Sequence, residues 1–129
     1  MKIYIASKLR HKEKWHLYRT LYPRIKITSS WIDTAPPEGE DLTQPSAVLA
    51  EAWVSNLREV TSSDKLLLYH EKGEQQQGAM LETGCAINAG LAIHLVTNAW
   101  EEINSWKYHP SVRFEYNLDT FFDRINPCP

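Results

Sequence analysis

Short apolar runs and longer amphipathic stretches alternate along this chain. Lys2 to Ala6, with Tyr4 inside it, reads as a buried strand, as do Ile25 to Thr28, Lys65 to Tyr69, Leu91 to Val96 and Val112 to Tyr116. Between them, His11 to Tyr22 places Trp15, Tyr18 and Tyr22 on one helical face, and Pro23 stops it. Ser46 to Val60 predicts a second helix with Leu49, Trp53, Leu57 and Val60 as its core stripe. A third opens at the loop glycine Gly78 and is capped by Gly90, and Leu118 to Ile125 predicts a closing helix. Trp100 to Pro110 reads as irregular or a short helix. Ser29 to Pro45, with two adjacent prolines, a glycine and four acids, reads as a long loop of the kind that is usually functional or mobile. Strands alternating with helices predict the α/β class: a small doubly wound (Rossmann-like or flavodoxin-like) parallel sheet of about five strands with helices on both faces.

The totals narrow the function classes. At 129 residues the chain holds one domain, spanning 1–129. A formal net charge of −2 supplies no global field for nucleic acid or an anionic membrane. Apolar runs are too short for a transmembrane helix, and no signal-peptide stretch precedes the first strand. Cys85 and Cys128 make no disulfide framework, so a reducing cytoplasm is the expected location. His11, His16, His70, His94 and His109 are scattered, and no built-in metal or cofactor is expected. G-x-G-x-x-G and Gly-Lys-Ser/Thr signatures are both missing, which argues against a dinucleotide site and ATP hydrolysis.

The candidate chemistry lies at Glu82, an acid in the early turns of the third helix, just past the Lys65 to Tyr69 strand. That position faces the crevice where open α/β sheets bind small molecules. By itself Glu82 is an ordinary early-helix acid favoured by the helix dipole. Its surroundings add to that: Gly78 lies four residues before it, and Gly84, Ala86 and Ala89 make a small-residue face expected to let the helix lie close on the sheet. Tyr4 is a core aromatic whose hydroxyl needs a partner; a bond to Glu82 would orient the carboxylate and keep it ionised. Ser7 and Arg10, with helix amides, form a candidate 5′-phosphate site, against the alternative of a solvated basic face running to Lys14. Trp31 is either core or a stacking surface for a nucleobase.

Taken together, Ile3-Tyr4-Ile5-Ala6-Ser7, Ser63 to Tyr69, the glycine–three residues–glutamate–x–glycine–x–alanine block from Gly78, and the tail His109 to Phe114 resemble the nucleoside 2-deoxyribosyltransferase superfamily, which includes deoxynucleoside 5′-monophosphate N-glycosidases. The resemblance implies that Glu82 is the nucleophile, that Tyr4 orients it, and that Arg10 lies near phosphate. It also implies a substrate site drawing on Ser7, Trp31, Asn56, Gly78 and Met80, with His109 and Ser111 contributed across a homodimer or larger assembly. Asn56 stands where the family commonly carries an aspartate that helps protonate or hold the base, and Gln76 where the transferases carry an acid on the sugar. The implied activity is cleavage of the N-glycosidic bond of a nucleotide or nucleoside through a glycosyl–glutamate ester. The alternatives are a nucleotide-sensing or sequestering protein that lost the reaction, and an oligomeric interaction module.

Overall fold

The computed structural model describes residues 1–34 and 45–127. Five strands, β1 (Lys2–Ala6), β2 (Lys26–Ile27), β3 (Lys65–His70), β4 (Ala92–Thr97) and β5 (Val112–Phe114), form one sheet in the order β2-β1-β3-β4-β5. Every pairing is parallel, with Tyr4 opposite Leu66 and Leu66 opposite Ile93. The expected α/β class and parallel sheet are what the chain adopts. The order reverses between β1 and β3, and the crevice outside their carboxyl ends is the place where such sheets take ligands.

Five α-helices flank the sheet: α1 (Lys12–Leu21), α2 (Trp31–Thr34), α3 (Ser46–Thr61), α4 (Gln77–Asn88) and α5 (Leu118–Ile125). α1 and α5 share one face, where Tyr18 and Tyr22 stack on Phe122 and their hydroxyls donate to Asp119 and Asp123. α3 and α4 pack together on the other face, above the row of Tyr4, Leu66 and Ile93. Fully buried Tyr4, Ile5, Trp15, Leu67, Ile93, Leu95, Phe121 and Phe122 hold these layers together. Asn117 caps α5 by accepting the Thr120 amide at 2.8 Å. Gly90 ends α4 with φ +84°, as its position predicts, while the Leu91 amide donates to the Ala86 carbonyl at 3.0 Å.

Several expectations change. Trp31 opens the short helix α2 and does not start an irregular loop; residues 35–44 of the predicted loop, and Cys128, lie outside the described residues. The Trp100 to Pro110 segment, by contrast, agrees with the expected irregular or short-helical stretch, forming two 3₁₀ turns, Trp100–Glu102 and Ser105–Tyr108. Of the predicted α3 stripe only Val60 is buried; Leu49, Trp53 and Leu57 are partly open, and Val48 and Val54 are exposed. The principal contacts of α3 among the described elements are with α4 and not with the sheet, so the stripe faces one neighbouring helix and stays partly open.

The small-residue face of α4 is also corrected. Gly84 and Ala89 are exposed, and a Cβ at Gly84 would meet nothing within 4 Å. The side set against the sheet is Ala79, Glu82, Thr83 and Ala86.

Candidate active site

Chain crossing brings Tyr4 of β1 and Glu82 of α4 together although 78 positions separate them. The Tyr4 hydroxyl donates to Glu82 Oε2, with Tyr4 fully buried and Glu82 only 6% exposed. Burial raises the Glu82 pKa to about 7; the Tyr4 bond pulls it down, and the charge of Glu59 pushes it up. The sequence-based expectation that Tyr4 keeps Glu82 ionised therefore holds only in direction, because desolvation outweighs the single donor. Tyr4 itself is driven far above the ordinary phenol value by burial and by Glu82, so it stays a neutral donor.

Two neighbours act on this pair. Trp31 is buried, and its indole N–H donates to the Ile5 carbonyl at 2.9 Å. That N–H also bears on Tyr4, where it opposes the rise in pKa. Trp31 thus joins the site through its indole nitrogen as part of the core. Glu59 of α3 is the member that the sequence pattern missed. It looks like an ordinary helix-surface acid, and only the packing of α3 beside β1 brings its charge to bear on Tyr4 and Glu82.

Gly78 lies inside the first turn of α4. A Cβ there would come within 3.2 Å of the Trp53 ring, so α3–α4 packing is enough to account for this glycine. Gln76, immediately before α4, donates its amide to the Tyr69 carbonyl at 2.9 Å. Its Oε1 is buried with no hydrogen-bond partner, an unpaired acceptor just before α4. Met80 is half-buried against the core, and Asn56 is half-buried on α3.

The candidate phosphate residues are engaged with other groups. Arg10, 57% exposed, binds Glu74 at 2.7 Å and Glu71 at 3.3 Å. The Ser7 hydroxyl donates to the Lys8 carbonyl and accepts the Trp15 indole N–H at 2.8 Å. An anion at this loop would have to take Arg10 from two carboxylates. His11 Nε2 lies 2.8 Å from Glu74 Oε2, so His11, Glu71 and Glu74 form a cluster with ligand atoms within 4.8 Å of one another. Linear spacing hides this grouping. Arg10 already supplies the positive charge there, which is the charge a metal ion would otherwise bring. Burial pushes the Glu74 carboxyl up, but the Glu71 amide, His11 and Arg10 outweigh it and hold the group below its usual value.

His109 and Ser111 stand elsewhere. His109 Nδ1 accepts the Ser111 amide at 3.0 Å, and the Ser111 carbonyl accepts the Ile93 amide, at the amino end of the outer strand. Within one chain β3 and β4 separate this segment from Tyr4. Asp64, read as structural, accepts the Lys2 amide at 2.8 Å at the opposite end of β1 from the crevice.

A buried carboxylate with a phenol donor thus lies above the switch point of a parallel sheet on an α/β scaffold. The fold matches that of a 2-deoxyribosyltransferase from the psychrotolerant bacterium Bacillus psychrosaccharolyticus, with a TM-score of 0.72 and 16% identity over 95% of this chain and 91% of that one. No protein-family model and no curated sequence matches the chain. No helix among the described residues is long and apolar enough to cross a membrane.

Proposed function

We propose that this protein cleaves the N-glycosidic bond of a nucleoside or nucleotide, as a hydrolase or a (deoxy)ribosyltransferase. The observation that carries the proposal is the buried Tyr4–Glu82 pair on a fold shared with a 2-deoxyribosyltransferase. Glu82 attacks the anomeric carbon while the bond from that carbon to the base nitrogen breaks, its electron pair leaving on the base. The product is a glycosyl–Glu82 ester, formed through an oxocarbenium-like state. Water, or the nitrogen of a second base, then attacks the same carbon and returns the carboxylate. Asn56 and the open Gln76 Oε1 offer hydrogen bonds to base or sugar without a charge.

Because only the ionised carboxylate is nucleophilic, activity is expected to rise with pH through about 7, the range set by Glu82. The test is chromatographic detection of free base across nucleosides and 5′-monophosphates, with Glu82→Ala as control and mass spectrometry for the sugar ester. Unchanged turnover in the variant would refute the proposal. Arg10→Ala separates substrates: a loss confined to monophosphates supports a phosphate role, and an equal loss on nucleosides removes it.

We also propose that copies associate through the exposed apolar side chains of α3 and α4, Val48, Val54 and Leu81. His109 and Ser111 of one copy would then serve the site of another. The competing function is nucleotide binding without reaction, favoured by the uncharged Asn56. It predicts saturable binding with no base released.

A further inference from the structure

Glu59 stands one turn beyond Asn56 on the same side of α3. Its Oε1 accepts the Ser30 amide at 3.1 Å, while the hydroxyl of adjacent Ser29 accepts the Ile5 amide at 3.1 Å. The carboxylate is thereby tied to the segment that flanks β1 one residue past Tyr4. A second attachment holds the helix turn: the Ser63 hydroxyl donates to the Glu59 carbonyl at 2.7 Å and meets the Thr28 hydroxyl. None of the ion pairs among the described residues involves Glu59.

We propose that Glu59, tied to the Ser30 amide beside β1, is a positioning residue of the Glu82 site whose negative charge favours the cationic sugar formed as the base departs. This rests on the glycosyl-transfer function proposed above. Before reaction the two carboxylates repel. As the new bond from Glu82 to the anomeric carbon forms, the Glu82 charge is consumed and positive charge develops on the sugar. Repulsion then turns to attraction, which stabilises the transition state more than the ground state. No proton moves from Glu59; the departing base carries the electron pair of the broken bond and takes its proton from water. Among titratable groups of the described residues, Tyr4 from β1 and Glu59 from α3 act on Glu82, in opposite directions.

Glu59→Gln tests this directly, because the amide oxygen still accepts from Ser30 while the charge is gone. Expected are a fall in kcat of about tenfold or more on the high-pH plateau, little change in KM, a melting temperature that is not lowered and rises slightly above neutral pH, and an acid limb of kcat/KM moved to lower pH. Glu59→Asp, which keeps the charge, should keep the wild-type limb. A titration of the Glu82 carboxyl by ¹³C NMR, in wild type and Glu59→Gln without substrate, reads the coupling independently of turnover. If base is released but neither the limb nor the NMR titration moves, the Glu59 role is overturned and the parent function stands. If wild type releases no base from any substrate, both fall.

Discussion

Replacing Glu82 with glutamine removes a charge that the folded chain holds under strain, and the effect on stability can be worked from the site. In the folded protein the carboxyl titrates at about 7, against an ordinary value of 4.5, chiefly because it is buried. The folded state therefore binds this proton more tightly than the unfolded chain between those two values, and stability falls as pH rises across that window. Below about pH 4.5 both states carry the proton and there is no penalty; above about 7 the penalty is complete, at about 3 kcal/mol. Glutamine keeps the shape and an acceptor for the Tyr4 hydroxyl but has no charge to desolvate. Urea denaturation from pH 4 to 8.5 should show the two proteins alike at the acid end. The variant should then become more stable by up to about 3 kcal/mol at the alkaline end, with no base released at any pH. Groups such as Glu74 and Glu115 titrate in both proteins and drop out of the difference. A stability difference independent of pH, or a variant less stable at pH 8, would refute this account of the site.

Three further outcomes follow from the same structure. Tyr4→Phe removes the donor that pulls the Glu82 pKa down, so the acid limb of the pH–rate profile should move up by about one to two pH units, the worth of a hydrogen bond to a charged group. Gly84→Ala should stabilise the protein by about 0.5–1 kcal/mol, since a helix interior favours alanine and the added Cβ meets nothing. Gly78→Ala should gain less, because its Cβ presses on Trp53 at 3.2 Å; thermal melts of the pair decide it. Glu115 accepts from His94 and from both nitrogens of Arg124; burial raises its carboxyl, but Arg124 and His94 bring it below the ordinary value. Glu115→Gln should therefore cost about 1–3 kcal/mol at pH 7, discounted for the half-exposed Arg124. The deficit should shrink as pH falls below about 4.5; a constant deficit would refute the ion-pair account.

The sequence by itself determined the strand–helix alternation and the Gly90 stop; the pairing of Tyr4 with Glu82 was only an expectation, implied by the resemblance carried by the block beginning at Gly78. Periodicity and capping act over a few residues, so they are legible in a linear string. Tertiary structure decided the rest. It placed Glu59 and Trp31 beside Tyr4 and engaged Arg10 with Glu71 and Glu74, more than 60 positions away. It also assigned Gly78 to the Trp53 contact and left Val48 and Val54 of α3 exposed. Above all it decided the protonation of Glu82. Desolvation and charge–charge interaction depend on distance through space, and that distance is fixed only when remote segments pack.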